Sequence, residues 1–293
     1  MSNLDWIKQA IDKLNPEDRI EIDNHLLAGI ASDAKTNQSQ YEIVLASDYV
    51  EDAKELVKNW GKMQGISSGY PSIDKLTKGF APGELTIIGG ATSNGKTTLA
   101  VNIATRILAQ GKSVLFVTLE MTRAQLTSRL MYVGDKFTDY SSLMTYQKTD
   151  ELNWKSIDGL IGRAVKEMGV DIVFIDHLHH FTRELKNVAE DLGRITKEFQ
   201  KNSHAHNIPI VVISHTRKGA GDSIDDLRGS SYIAQDADIV LMVSRDESTP
   251  DSIAVSIQKN RNRGFDKDKN EVLLNFDKTK ITERFSDHFP VDE

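Results

Sequence analysis

Between the apolar run Leu85 to Ile88 and the helix-compatible segment AVNIATRILAQ lies GGATSNGKTTL, residues 89 to 99. That order of strand, Gly-rich loop and helix leaves the chain few ways to fold locally. Gly90, Gly95, Lys96 and Thr97 complete G-x-x-x-x-G-K-T, the spacing of the phosphate-binding loop of nucleoside-triphosphatases. Small residues let successive backbone N–H groups turn inward around phosphate oxygens, and the helix N-terminus adds its positive end. Ala91, Thr92, Ser93, Asn94 and Thr98 are taken with the loop as cofactor-binding positions. Lys96 is expected to reach the β- and γ-phosphates, and Thr97 to offer its hydroxyl to Mg²⁺. The competing reading is a Gly-rich turn that happens to carry Lys-Thr before a helix. The flanking pattern favours a nucleotide site, without naming a reaction.

From Ile66 onward, short apolar runs recur at 85 to 88, 114 to 117, 170 to 175, 208 to 213 and 237 to 243, with helical segments between most of them. Continuous rather than alternating runs indicate strands buried on both faces, hence a mainly parallel sheet covered by helices. Two later runs, 252 to 257 and 271 to 276, flank the basic segment QKNRNRGFDKDKN and read as an added hairpin. The mixed-charge segment from about 184 to 202 reads as a helix with a solvated face.

In open parallel sheets ligands bind at the carboxyl ends of strands, so the residue ending each run matters. Asp176 closes VDIVFID and has the form of a carboxylate that holds Mg²⁺. Glu120, one run earlier, is placed to orient and deprotonate the water that attacks the γ-phosphate, or else is a helix cap. His215 reads as a sensor hydrogen-bonded to the γ-phosphate, or as a structural histidine. His177, His179 and His180 cluster in sequence, but two are adjacent, no acid sits at ligand spacing and the chain has no cysteine, which argues against a metal site there.

Residues 1 to 62 differ from the rest. Asn15-Pro16-Glu17-Asp18 opens a helix to about residue 29, and residues 31 to 40 read as a linker. A second helix, 48 to 60, repeats Val50, Ala53, Val57 and Trp60 at helical spacing, a face to be buried on its own domain or on a neighbouring subunit. The start of the chain lacks a signal-peptide pattern and no stretch suits a bilayer, so a soluble, cytoplasmic protein without membrane contact is expected. The absence of cysteine agrees with a reducing compartment. Net charge is −7, so any nucleic-acid contact is confined to local loops, as in a channel with an acidic exterior.

The segments TLEMTRAQLTSRL (118 to 130), VFIDHLHH (173 to 180), DDLRGSSYIAQDADIVLMVSR (225 to 245) and QKNRNRG (258 to 264) resemble the ordered motifs of DnaB-type hexameric replicative helicases. SGYPSIDKLTKGFAPGELTIIGG (68 to 90) resembles the start of their RecA-like ATPase domain, and the likeness runs from about 66 to 284. It implies a RecA-like P-loop α/β fold with a small helical N-terminal extension, divided into residues 1 to 46, a linker helix 47 to 65 and an ATPase domain 66 to 293. By the same resemblance Lys259 and Arg261 match the basic pair inserted into the neighbouring subunit's ATP site, with Arg261 as arginine finger and Arg263 an open alternative. Gln235 resembles a switch glutamine, Arg245 and Phe276 resemble the pair that stacks on the base, and Arg217, Lys218 and Arg228 resemble channel residues that hold single-stranded DNA.

The resemblance implies an ATP- and Mg²⁺-dependent helicase of 5′–3′ type that acts as a homo-oligomer, a hexamer, on single-stranded DNA in replication. Residues 1 to 46 do not match the larger N-terminal domain of that family, which leaves primase and loader contacts open. Two other functions stay in view: a recombinase-like or mediator ATPase that assembles on DNA without unwinding, and a nucleotide-switched scaffold.

Overall fold

The computed structural model describes residues 50–51, 54, 65–135, 138–147, 156–178, 188–216, 223–227, 233, 235–246, 248–261 and 270–284. The chain divides into two compact units, Met1–Lys58 and Asn59–Glu293. Of the first, Val50, Glu51 and Lys54 are described: they are helical and exposed, with Lys54 Nζ 2.6 Å from Glu51 Oε1. The expected helix at 16 to 29, the linker, and Ala53, Val57 and Trp60 lie outside the described residues.

The first described helix of the second unit is α1 (Pro71–Thr77), which has proline in its first turn and ends on Lys78 in the left-handed region. Strand β1 (Leu85–Gly89) leads into helix α2 (Lys96–Ala109), then β2 (Val114–Thr118), α3 (Arg123–Val133) and β3 (Leu143–Gln147). Helix α4 (Ile157–Met168), β4 (Ile172–Asp176), helix α5 (Val188–His206), β5 (Ile210–Ile213) and β6 (Ile239–Ser244) follow. The chain then makes β7 (Ser252–Asn260), β8 (Glu271–Asp277) and β9 (Lys280–Glu283).

Among the described residues the strands form one nine-stranded sheet in the order β3-β2-β4-β5-β1-β6-β7-β8-β9. Pairing is parallel from β3 through β6 and antiparallel from β6 to β9. Every residue of β1, β2, β4 and β5 is buried, as continuous apolar runs covered on both faces require. On one face Ile88, Phe116, Phe174 and Leu241 pack with Leu99 and Ile103 of α2 and Leu126 of α3. On the other, Ile87, Val117, Ile175 and Val212 pack with Ile161 of α4 and Leu192, Ile195 and Phe199 of α5. Successive strand residues thus feed two opposite cores, the doubly covered arrangement.

The mixed-charge helix α5 has the expected solvated face, and Leu192, Ile195 and Phe199 at helical spacing are buried on its other side against the sheet. Two strands depart from the sequence expectation. Strand β3 has no counterpart among the expected strands; as the edge strand it is only half-buried and carries no apolar run. Strand β9, four residues long, extends the expected β7–β8 hairpin to a third antiparallel strand. Asn102 of α2 ties it down, donating to Thr98 O and Thr279 O and accepting from Ile281 N–H.

Candidate functional site

Strand β1 ends at Gly89 and the chain turns through 90 to 95 into α2. Gly90 has φ +148°, and a Cβ there would stand 2.3 Å from Val243 O, so no other residue fits. Gly95, at φ +90°, caps α2 without a side chain of its own. Asn94 Nδ2 donates to Val243 O at 3.2 Å and pins the loop to β6. Lys96 is buried, and its Nζ donates to Ala91 O at 2.7 Å, so the ammonium is folded back inside the loop. The exposed positions are Thr92 and Ser93, at the tip.

Strands β2, β4, β5 and β1 are consecutive in the sheet, so their carboxyl ends gather the expected residues around this loop. Thr97 Oγ1 donates to Asp176 Oδ2 at 3.0 Å. Asp176 ends β4, and Leu119 N–H donates to Asp176 O at 2.8 Å, which sets Glu120 just beyond the same row. The reading of Glu120 as a helix cap is excluded: α3 is capped by Thr122, in a capping box with Gln125. The Glu120 side chain is instead 44% exposed, and its Oε1 lies 3.1 Å from His177 Nδ1. His215 follows β5 by two residues and meets the His177 ring edge-on, the centroids 4.5 Å apart. Thr216 N–H donates to Gly90 O at 3.1 Å, joining the end of β5 to the phosphate loop.

The charges at the site are held away from their ordinary protonation. Burial pushes the Asp176 carboxyl up to about 6, helped by the Glu120 charge and opposed by the Thr97 hydrogen bond, Lys96 and Arg129. Burial holds the Lys96 ammonium down at about 8, against the attraction of Asp176 and Glu120. Bound phosphate and a bound cation would relieve both. The Thr97 hydroxyl and Asp176 carboxylate are hard oxygen donors 3.0 Å apart beside the loop, a set that fits Mg²⁺ shared with phosphates.

Arg245 leaves the end of β6 and lies over the Phe276 ring at 4.2 Å, and both approach Gly95. The structure therefore brings this pair beside the phosphate loop. It does not bring Lys259, Arg261 or Gln235 there. Strand β7 runs antiparallel to β6, so its last residues return to the row where β6 and β1 begin: Arg261 N–H bonds Asp238 O, and Asp238 N–H bonds Leu85 O. Arg261 thus sits four residues behind Gly89, about 13 Å back along the strands. Its guanidinium reaches Asp238 Oδ1 at 3.2 Å and also donates to Gln235 O. Lys259 Nζ donates to the carbonyls of Gln235 and Ala237. Gln235 belongs with this basic pair, because it precedes the start of β6 and not its end.

Arg217, Lys218, Arg228, His179, His180 and Arg263 lie outside the described residues. Arg129 and Asp238 have no place in the sequence expectations, and His177 enters there only beside His179 and His180. His177 touches Glu120 only because β2 neighbours β4. Arg129 on α3 acts on Asp176 through its charge. Asp238, buried, holds both Arg261 and Leu85 N–H. Only His177, directly after the strand-ending Asp176, left a signal in the sequence.

A phosphate loop at the carboxyl edge of a parallel sheet, with a hydroxyl and carboxylate beside it, defines a P-loop nucleotide-binding protein of the α/β class. The chain belongs to the family described as DnaB-like helicase C terminal domain, whose model matches residues 65–159 and 138–286. Similar proteins include a probable replicative DNA helicase of Trieres chinensis, 31% identical over 219 residues and covering 63% of this chain and 48% of that protein. Replicative DNA helicase DnaB of Haemophilus influenzae is 27% identical over 239 residues, 67% of this chain and 49% of that one. The chain thus spans about half the length of the curated relatives it matches. A solved structure described as an ATPase domain superposes with a TM-score of 0.70 at 19% identity, over 83% of this chain and 100% of that one. "The Structure Of A DnaB-Like Replicative Helicase And Its Interactions With Primase" gives 0.68 at 17% identity, over 95% and 78%. The fold is accordingly the RecA-like one of DnaB-type ATPase domains. Among the described residues no helix is long and apolar enough to cross a membrane.

Proposed function

We propose that this chain is the motor of a replicative DNA helicase, a cytoplasmic homo-oligomer, most simply a hexamer, that hydrolyses ATP between subunits and moves 5′–3′ on single-stranded DNA. The observation that carries this reading is the position of Arg261, at the far end of the sheet from its own phosphate loop. A finger there serves only another subunit's nucleotide, so each site is completed by assembly. Family membership supplies the rest of the support.

In this reading the backbone N–H groups of 90 to 95 and Lys96 bind the phosphates, while Arg245 and Phe276 flank the base. Thr97 and Asp176 would hold Mg²⁺, which would supply neutralisation of the phosphate charge. Glu120 orients the attacking water and takes its proton, its carboxylate being 44% exposed and so open to water. His215 contacts the γ-phosphate and relays its loss to the segment that follows, which carries Arg217, Lys218 and Arg228 as strand-holding residues. Lys259 and Arg261, with Gln235 beside them, complete the adjacent subunit's site. Residues 47–65 act as a linker helix docking on a neighbour, residues 1–46 as a separate short region, and primase or a loader as accessory partners. No feature of the described residues favours a strand-coating ATPase or a scaffold. A forked-duplex strand-displacement assay with ATP and Mg²⁺, run beside mass measurement of the oligomer, tests the reading. Unwinding by a ring supports it, and a monomer inert toward DNA contradicts it.

A further inference from the structure

Glu120, His177 and His215 come from the carboxyl ends of three different strands, β2, β4 and β5, yet one ligand atom from each lies within 4.8 Å of the other two. Two imidazoles and one carboxylate form a donor set unlike the one beside it. Thr97 and Asp176 offer only oxygen, which suits a hard cation such as Mg²⁺, whereas imidazole nitrogen selects borderline ions of the zinc class. The acid that the sequence does not offer at ligand spacing arrives from the end of β2, with Glu120 Oε1 at 3.1 Å from His177 Nδ1. His177 and His215 already face each other edge-on at 4.5 Å. Tetrahedral ligands at about 2.0 Å from zinc stand about 3.3 Å apart, so closure asks for side-chain movements of only ~1 Å. His177 is buried while Glu120 is 44% exposed, which gives the ion a rigid floor and an open side for entry and a bound water.

We propose that Glu120, His177 and His215 form a binding site for a zinc-class divalent ion, distinct in chemistry from the Mg²⁺ site. Binding replaces protons or water on the three ligands and involves no redox step. The consequence rests on the function proposed above: an ion here occupies the carboxylate that activates water and the imidazole that reads the γ-phosphate, so zinc holds the motor off.

The test is titration of Zn²⁺ into the full chain without nucleotide, in excess Mg²⁺, by calorimetry, with Co²⁺ absorption as a second readout of coordination. One equivalent is expected to bind, with affinity lower by at least ~100-fold in His177→Phe. The same loss is expected in Glu120→Ala, an exposed position whose replacement does not endanger folding. The double variant His179→Ala/His180→Ala is expected to bind as the unaltered chain does. Absence of a bound equivalent, or binding indifferent to both His177→Phe and Glu120→Ala, overturns the proposal. ATPase measured with and without Zn²⁺ then separates the two readings. Inhibition that is relieved in His177→Phe supports both. Tight binding without inhibition supports the site and contradicts the roles given to Glu120 and His215.

Discussion

Arg261 Nη1 lies 3.2 Å from Asp238 Oδ1, at the edge of the sheet where β1 begins, whereas the phosphate loop lies where β1 ends. Asp238 also accepts the N–H of Leu85 at 3.0 Å, so one buried carboxylate aims the guanidinium and fastens the first strand. Arg261→Ala is expected to lower kcat by about 10³-fold or more while nucleotide binding to the isolated chain is unchanged. Asp238→Ala is expected to lose hydrolysis and also roughly 1–3 kcal/mol of stability, because it leaves a buried N–H unpaired. Steady-state ATPase and urea denaturation of the two variants separate these effects.

Asp176 gives a stability prediction of unusual sign. Its carboxyl is raised from 3.8 to about 6 chiefly by burial, so between those values the folded protein holds the proton more tightly than the unfolded chain. Stability from this group is therefore greatest at low pH and declines as pH rises through the window from about 4 to about 6. Asp176→Asn removes the buried charge and is expected to stabilise the nucleotide-free protein at pH 7.5 by on the order of 1–3 kcal/mol, read as a higher Tm. The same variant is expected to abolish Mg²⁺-dependent hydrolysis. Calorimetric melting with and without Mg²⁺–nucleotide checks the first half, and steady-state ATPase the second.

Lys96 yields the complementary prediction. Burial holds its ammonium at about 8, and a bound triphosphate restores the charged form. Nucleotide binding is expected to take up protons above pH 8 and to weaken as pH rises beyond it. Calorimetry in buffers of different ionisation enthalpy measures that uptake, which Lys96→Ala should lose together with most of the affinity.

Gly90→Ala tests the loop's geometry. The new methyl group would meet Val243 O at 2.3 Å on a backbone at φ +148°. A loss of about 1–3 kcal/mol and of nucleotide binding is expected. Retention of both would show the loop to be far softer than its contact with β6 implies.

The sequence revealed the strands buried on both faces, because continuous apolar runs such as Leu85 to Ile88 have no other easy reading. It also revealed the residues that end them, since parallel strands share a carboxyl edge: Asp176, Glu120 and His215 were legible for that reason. Edge elements were not, because half-buried β3 needs no apolar run and β9 is only four residues long. Residue pairs set by strand order and register were hidden as well. That Glu120 meets His177 depends on β2 lying next to β4, and that Gln235 joins Arg261 rather than the phosphates depends on which end of β6 it precedes. The capping box of Thr122 and Gln125 was readable as T-x-x-Q and by itself assigns the cap of α3 to Thr122 rather than Glu120.

If Arg261 of a neighbouring subunit completes each nucleotide site, two variants that are inactive alone rescue each other when mixed. Glu120→Gln supplies an intact finger but no base, and Arg261→Ala supplies an intact base but no finger. Mixed one to one and assembled at random, they are expected to recover about one quarter of the unaltered ATPase, the fraction of interfaces that pair both intact halves. ATPase equal to the sum of the separate variants, at every mixing ratio, would contradict the account.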